Sequence, residues 1–474
     1  MSNLSSLFRV KPLEHEHTNH AALKPCLTTL DLTTLGVGAI IGAGIFVLTG
    51  IVAATVSGPA VIFSFIVAGI ACIFSALAYA ELASSIGGCG SAYGYSFASS
   101  GELVAWIIGW VLLLEYSMAS SAVAIGWSGY VNNALSAIGF GLPHFLMATP
   151  LEGGLMNLPA IIIIALMTYL LAIGVKESVR INKIMVFIKI FIVLIFIFLA
   201  CFHFHPSENW SPFMPFGFFS IFKGAGLVFF AYIGFDAVST AAEESVNPKK
   251  DLPKGIIYSL VICTILYILV SALLTGAVHY SFLNVSSPVS YALLHLGYRF
   301  GGVIVALGAI VGLSTTILVM FYGLTRIFFA ITRDGLLPQS LAHINPNTQT
   351  PVRIIVLSGF IMAVVAGFYP LKGLAQVVNM GTLAAFALVC GSVIWMRYKK
   401  PDMPRPFKTP FSPLIPLLGA LCCIYLMLNL DLTVWRNFFI WIILGLIIYF
   451  GYGRSRSILS ETYRDKGVPF SPAK

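Results

Sequence analysis

Apolar runs separated by short polar stretches make up most of this 474-residue chain. Twelve of the runs are long enough to cross the ~30 Å hydrocarbon core of a bilayer as helices. We call them segments 1 to 12, at about residues 29–52, 59–84, 101–131, 156–175, 181–203, 217–241, 253–278, 298–331, 352–370, 373–397, 412–429 and 433–453. The pattern predicts an all-α polytopic membrane protein with twelve transmembrane helices. They form one transmembrane domain at 29–453, between tails at 1–28 and 454–474.

The composition agrees with a membrane protein. Hydrophobic residues make up 58% of the chain and charged residues 9%, whereas soluble domains carry about 25% charge. The eight cysteines have no spacing typical of a metal or redox site, so neither a metal nor another cofactor is predicted. The net charge of +9 is spread over short loops, which predicts a lipid bilayer and no nucleic acid among the partners.

The basic residues also predict the orientation. With twelve spans, 22 of the 27 Lys and Arg residues fall in the tails and the even-numbered loops, and only four fall in the odd-numbered loops. The remaining one, Lys189, lies within segment 5. Because cytoplasmic loops are enriched in Lys and Arg, we expect an integral protein of the cell membrane with both termini in the cytoplasm.

Segments 1 and 6 are each interrupted by a short stretch that contains glycine. Residues 38–46 read GAIIGAGIF and residues 230–236 read FAYIGFD. Unpaired backbone at membrane depth is tolerated only where it lines a cavity or is buried in protein, and paired interruptions indicate the binding site of a transporter. The pattern predicts unwound backbone at 41–44 and 231–234. Gly38 and Gly42 alone could equally be a close-packing motif of membrane helices.

The positions of the two breaks divide most of the chain into two repeats of five segments each. Segments 1–5 (repeat one, 29–203) and segments 6–10 (repeat two, 217–397) each open with a broken span. An odd number of spans per unit inverts the second unit relative to the first, which predicts an inverted-topology repeat. Segments 11 and 12, at 412–453, lie outside it as two additional C-terminal helices.

The two breaks expose main-chain groups of opposite polarity, N–H donors at the first and carbonyl acceptors at the second. The outer half of segment 1 begins near Ala43 with free N–H groups and a positive dipole end, which suits a carboxylate. The outer half of segment 6 ends near Ala231 with free carbonyls, which suit an ammonium group. Together they fit an α-amino acid. The residues predicted to bind it through the breaks are Ile40, Ile41, Gly42, Ala43, Gly44, Ile45, Phe230, Ala231 and Ile233.

The same residues resemble a known family. Residues 36–50, 229–244 (FFAYIGFDAVSTAAEE), 247–248 (NP) and 333–338 (RDGLLP) resemble the amino acid–polyamine–organocation superfamily, and closely the bacterial relatives of its cationic amino acid transporter branch. The resemblance runs from about residue 28 to 453. It implies the five-plus-five inverted repeat, alternating access, and proton-coupled amino acid transport without sodium.

Three ionisable residues lie deep within the predicted spans. Intramembrane charges are functional candidates by default, and the resemblance implies that Lys189 approaches the first break as the proton-coupling residue. A permanently charged prop for segment 1 carbonyls is the alternative. Glu115 in segment 3 could contact substrate, relay protons, or stay protonated and donate a hydrogen bond within the protein. Asp236 could bind substrate or complement the dipole of the inner half of segment 6.

Met320 in segment 8 matches a family position beside the substrate side chain, although methionine on a membrane helix is usually a packing residue. A bulky apolar group there favours small neutral amino acids. We therefore expect a secondary active transporter, not an enzyme, for proton-coupled uptake of alanine-like L-amino acids. An amino acid exchanger or a cationic (arginine/lysine) permease is the alternative. The sequence does not indicate whether a small accessory subunit binds to the protein.

Overall fold

The structure is a computed structural model that describes residue 9 and residues 27–86, 91–137, 139–174, 179–240, 245–346, 348 and 350–460. Each predicted apolar segment coincides with helical structure in it. The uninterrupted helices of segments 2–5 and 7–12 are Val61–Ile86, Glu102–Ala137, Leu158–Ala172, Val179–Cys201, Pro248–Ala277, Arg299–Arg333, Val352–Phe368, Leu371–Lys399, Leu414–Leu428 and Leu432–Ile448. Within the described residues the β-type pairing is one isolated bridge between Leu27 and Ser245.

Segments 1 and 6 are built from several short helical pieces. Segment 1 comprises the α-helix Thr29–Ile40, the π-helix Gly44–Leu48, the α-helix Thr49–Val52 and the π-helix Ala53–Ser57. Segment 6 comprises the α-helix Ser220–Val228, the 3₁₀-helix Phe229–Tyr232 and the α-helix Ala237–Thr240. Shorter helices connect the segments at Gly58–Ala60, Ser91–Ser99, His144–Leu146, Pro150–Glu152, Pro206–Asn209, Tyr280–Leu283, Pro288–His295 and Gln339–Ala342. The π-helix Tyr449–Gly453 and the helix Arg454–Arg456 follow directly on Leu432–Ile448 at the end of segment 12.

The outer surface of the bundle is apolar. Eight helical stretches of the described chain are long and apolar enough to cross a membrane, and four further apolar helices are 10–17 residues long. Large apolar side chains such as Phe360 and Ile443 are exposed on this surface, as expected for side chains that face lipid. These features define an integral membrane protein.

Segment 6 lies at the centre of the bundle. In its most apolar stretch 89% of the residues are buried by the rest of the protein, against 22% for segment 12. Segment 1 packs against segments 5, 7 and 8, and segment 6 packs against segments 2 and 10. The two interrupted segments are therefore enclosed by the continuous helices.

The described ends of the chain pack against segments 3 and 8. The Glu102 N–H donates to Arg9 O (2.9 Å), and the Arg9 guanidinium donates to Leu459 O (2.7 Å). Ser457 donates to the Glu102 carboxylate (2.6 Å). Thus the first residues of the predicted C-terminal tail lie against the bundle, while most of the predicted N-terminal tail and residues 461–474 lie outside the described residues.

Candidate functional site

The first break is two residues long. The helix of segment 1 ends at Ile40, and Ile41 is extended, with φ −71° and ψ 96°. The chain becomes helical again at Ala43, and the Phe46 N–H donates to Gly42 O (3.4 Å). The prediction of unwound backbone at 41–44 was therefore wrong for Ala43 and Gly44. Helix resumes there early, so the N–H groups from residue 42 to residue 45 precede the first helical hydrogen bond.

The second break lies two residues later than predicted. The 3₁₀-helix ends at Tyr232, Ile233 is extended with ψ 137°, and Gly234 has φ +115°. Helix resumes at Ala237. Unwound backbone at 231–234 was wrong for Ala231 and Tyr232, because the chain tightens into a 3₁₀ turn before it unwinds. Only glycine adopts a φ near +115° without strain, which accounts for Gly234.

The two interrupted segments touch each other next to their breaks. A Cβ atom placed on Gly44 would lie 2.3 Å from both Cα and Cβ of Ala231, so a side chain at Gly44 cannot be accommodated at this spacing. The Tyr267 hydroxyl of segment 7 lies on the other side of the contact. It is 2.8 Å from Ile40 O and 2.7 Å from Ala231 O. Because a hydroxyl has one hydrogen, Tyr267 shares it between these two carbonyls.

Tyr267→Phe is expected to lower stability. The single hydroxyl hydrogen is shared between two fully buried carbonyls, and leaving both of them without this donor costs about 1–3 kcal/mol. The matched control is Tyr130→Phe, since the Tyr130 hydroxyl donates to one carbonyl, Phe46 O (2.7 Å). Thermal unfolding in detergent should give a larger fall in Tm for Tyr267→Phe than for Tyr130→Phe. Equal falls would contradict the bridging role.

A small cavity lies between the breaks. Its volume is about 10 Å³, roughly the space of one water molecule. Seven of the residues predicted to bind substrate line it, namely Ile40, Gly42, Ala43, Gly44, Phe230, Ile233 and Met320. The predicted residues that do not line it are Ile41, Ile45, Glu115, Ala231 and Asp236.

Four further lining residues were missed from the sequence: Ala39, Ala119, Val123 and Thr316. Ala119 and Val123 are four residues apart on segment 3, and Thr316 precedes Met320 by four on segment 8. Residues at this spacing share one face of a helix. The position of Met320 could therefore have indicated Thr316, but alanine and valine on an apolar helix give no signal that separates lining from packing.

Lys189 is fully buried beside the first break. Its ammonium donates to Gly38 O (2.7 Å), to Ile41 O (3.2 Å) and to Thr316 Oγ1 (2.8 Å). An ammonium has three N–H donors, so these three contacts can use all of them. Lys189 approaches the first break as the family resemblance implies, and its contacts are main-chain carbonyls and a hydroxyl.

Thr316 connects Lys189 with the cavity. Its hydroxyl accepts from Lys189 and donates to Ile41 O (3.1 Å), and the same residue lines the cavity. Lys189 itself does not line it. A change in the charge of Lys189 can therefore reach the cavity through one side chain and one carbonyl.

Glu115 and Asp236 are fully buried but lie away from the cavity lining. The Tyr116 hydroxyl donates to Asp236 Oδ2 (2.7 Å), and Asp236 immediately precedes the helix Ala237–Thr240. This placement favours the helix-dipole interpretation of Asp236 over substrate contact. Neither oxygen of Glu115 has a hydrogen bond of good geometry among the described residues. Those residues also contain no group of His, Cys, Asp and Glu arranged to hold a metal ion.

These features define a class of protein: a helical membrane protein in which two discontinuous segments enclose a buried, mostly apolar cavity with main-chain groups in its wall. The particular family follows from comparison of the sequence. A family model described as amino acid permease matches residues 27–449. The chain therefore belongs to the amino acid permease family of the amino acid–polyamine–organocation superfamily.

Individual relatives agree with this assignment. The chain is 49% identical over 464 residues to the branched-chain amino acid permease BcaP of Bacillus subtilis, covering 96% of this chain and 99% of that protein. It is 47% identical to the methylthioribose transporter of the same organism, covering 97% and 100%. It is 39% identical to human cationic amino acid transporter 4, covering 84% and 64%. These relatives are permeases and transporters by name, not enzymes.

Proposed function

We propose that this permease is a secondary active transporter that takes up neutral aliphatic L-amino acids together with protons, by alternating access. The observation that carries the proposal is the meeting of two helix breaks around one cavity. The proposed architecture has twelve spans, with segments 1–5 and 6–10 as inverted repeats and both termini in the cytoplasm. Eight long and four short apolar helices and the uneven distribution of Lys and Arg support it.

The main-chain groups of the breaks are the proposed contacts for the amino acid backbone. The N–H groups from residue 42 to residue 45 bind the carboxylate at the start of a helix. The ammonium group binds carbonyls of Phe230 and Ile233, two residues that line the cavity. Ala231 was predicted to take part, but it does not line the cavity, so we leave it out of the proposed contacts.

The rest of the cavity wall is suited to an aliphatic side chain. Ala119, Val123 and Met320 are apolar, and Thr316 is the polar side chain among the lining residues. No lining residue in the described chain carries an acidic group that could pair with the side chain of arginine or lysine. This favours a neutral substrate over a cationic one. The relative named as a branched-chain amino acid permease extends the proposed range from alanine to leucine, isoleucine and valine.

The size of the cavity supports alternating access. A volume of about 10 Å³ is too small for any amino acid, so the wall must move apart to admit one. Segments 1 and 6 supply most of the wall, and their breaks are the places where the chain can bend. Opening toward one side and then toward the other is the motion that the proposal requires.

Lys189 is the proposed proton-coupling residue. A protonated lysine can donate three hydrogen bonds, whereas a neutral one can donate two. Loss of the proton therefore releases at least one of the oxygens of Gly38, Ile41 and Thr316. Because Thr316 lines the cavity and Ile41 lies between the lining residues Ile40 and Gly42, the proton and the substrate act on the same part of segment 1.

Met320→Ser is expected to widen the range of substrates. The Met320 side chain reaches within 2.7 Å of the position that a Cβ atom on Gly234 would take, so it fills space beside the second break. A serine leaves that space open to a longer side chain. In a competition assay with labelled L-alanine, excess arginine or lysine should inhibit uptake by the variant and not by the wild type. An unchanged competition profile would place the boundary of the pocket elsewhere.

A thermal-shift screen of the purified protein tests the proposed substrate class. The panel contains the twenty L-amino acids and methylthioribose, the compound after which one relative is named. A ligand that binds the folded state raises the Tm. We expect alanine and the branched-chain amino acids to raise it and arginine to leave it unchanged. A rise with methylthioribose alone would overturn the proposal, because that compound has neither a carboxylate nor an ammonium group.

A further inference from the structure

Segment 10 donates a pair of hydrogen bonds to the end of the first helix of segment 6, before the 3₁₀-helix that leads to the break. Asn379 is fully buried, and its side-chain Nδ2 donates to Gly226 O (2.6 Å) and Leu227 O (3.1 Å). These carbonyls belong to the last turn of the helix Ser220–Val228, before the chain tightens into the 3₁₀-helix. The last four carbonyls of an α-helix have no partner within it. Asn379 therefore caps this helix from a neighbouring segment.

Lys189 has the same relation to segment 1. Each donor lies on the fifth segment of its repeat and bonds two carbonyls at the end of the first helix of the broken segment: Lys189 at and next to the break, and Asn379 before the 3₁₀-helix. Lys189 is 151 and 148 residues from Gly38 and Ile41. Asn379 is 153 and 152 residues from Gly226 and Leu227. Two donors of different chemistry thus stand in matching places, at nearly equal separations along the chain.

We infer that Asn379 is a positioning residue for the second break and the counterpart of Lys189 in repeat two. The inference rests on the proposed function and on its five-plus-five repeat. An amide cannot lose a proton at physiological pH, whereas an amine can. Asn379 therefore keeps its two hydrogen bonds to segment 6 at every pH, whereas Lys189 loses at least one donor when it is deprotonated. This keeps the end of the helix that leads to the carbonyls proposed to bind the ammonium group in place at every pH.

The test compares Asn379→Leu with the wild type in proteoliposomes, using labelled L-alanine and L-leucine across a range of external pH. Leucine has nearly the same size but no donor. We expect KM to rise by roughly tenfold, the effect of about one lost hydrogen bond to a buried group. The pH at which uptake is half-maximal should stay at the wild-type value. A residue that merely supports folding would lower the amount of active protein without changing KM.

Two further variants complete the test. Ser392→Ala, on the same segment, removes a buried hydroxyl that bonds Leu388 O within its own helix (2.9 Å), and it should keep the wild-type KM. If Asn379→Leu does not fold, Asn379→Ser offers one short donor in place of two, and its KM should also rise. A wild-type KM in a folded Asn379 variant, or a shifted pH midpoint, would overturn the inference.

The proposed function fails in a different way. Wild-type protein that takes up neither L-alanine nor L-leucine would overturn the proposed function, and the inference with it. Wild-type uptake without any response to external pH would exclude proton coupling from both the proposed function and the inference about Asn379. Normal proton-driven wild-type uptake, with Asn379 variants that match it in KM, would overturn the inference alone.

Discussion

Lys189→Met is expected to abolish amino acid uptake driven by a pH gradient. Methionine keeps much of the length of lysine but donates no hydrogen bond, so the oxygens of Gly38, Ile41 and Thr316 lose their shared donor. Hydrogen bonds to charged groups are each worth about 1.5–3 kcal/mol. We therefore expect proteoliposomes with an inward proton gradient to show uptake reduced by more than roughly tenfold, and residual exchange to show no dependence on pH.

The matched control for this experiment is Lys372→Met. Lys372 is exposed at the start of segment 10, so its replacement changes the net charge by the same amount without touching the break. It should keep wild-type uptake and pH dependence. Lys189→Met protein that still concentrates amino acids in response to a pH gradient would remove Lys189 from the coupling mechanism and leave it as a structural prop.

Gly44→Ala is expected to prevent substrate binding. The added methyl group would lie 2.3 Å from Cα and Cβ of Ala231, and backbone atoms cannot rotate out of the way as a side chain can. The two breaks must move apart, and overpacking of this kind costs about 1–3 kcal/mol. Because the carboxylate and ammonium contacts lie on opposite breaks, their separation should change and the ligand-induced rise in Tm should disappear.

Gly391→Ala provides the comparison for this variant. A Cβ atom on Gly391, in segment 10, would have no atom within 4 Å other than its own neighbours. That variant should show a Tm at or slightly above that of the wild type, because alanine favours a helix over glycine by up to about 1 kcal/mol, and it should keep the wild-type response to ligand. A Gly44→Ala variant that binds L-leucine as the wild type does would mean that the spacing of the breaks is not what positions the ligand.

The helical framework could be predicted because hydrophobic length is a strong signal in a membrane protein. Segment 8 was expected at about 298–331 and is the helix Arg299–Arg333. The second break was misplaced because residues 229–232, with the sequence FFAY, carry no local mark of a 3₁₀ turn. Only Gly234 signals a positive φ, and it lies within the observed break.

The chemistry of the site could be predicted less completely. Glycines and a buried lysine are conspicuous in an apolar sequence, so Gly44 and Lys189 could be singled out. Tyr267 and Asn379 act through main-chain carbonyls of distant segments, and no spacing along the chain reveals such partners. Glu115 was conspicuous for its charge, yet the cavity is lined without it. Residue type alone does not tell which face of a helix meets the cavity.

The central claim is that the two breaks bind the carboxylate and the ammonium group of one amino acid through main-chain groups. Calorimetric titration of the purified permease with L-leucine, L-leucinamide and 4-methylpentanoate tests it directly, because the second compound lacks the carboxylate and the third lacks the ammonium group. We predict that L-leucine binds and that each analogue binds more weakly by roughly tenfold or more, as expected for a lost charge-assisted hydrogen bond. Binding of either analogue with the affinity of L-leucine would contradict the account.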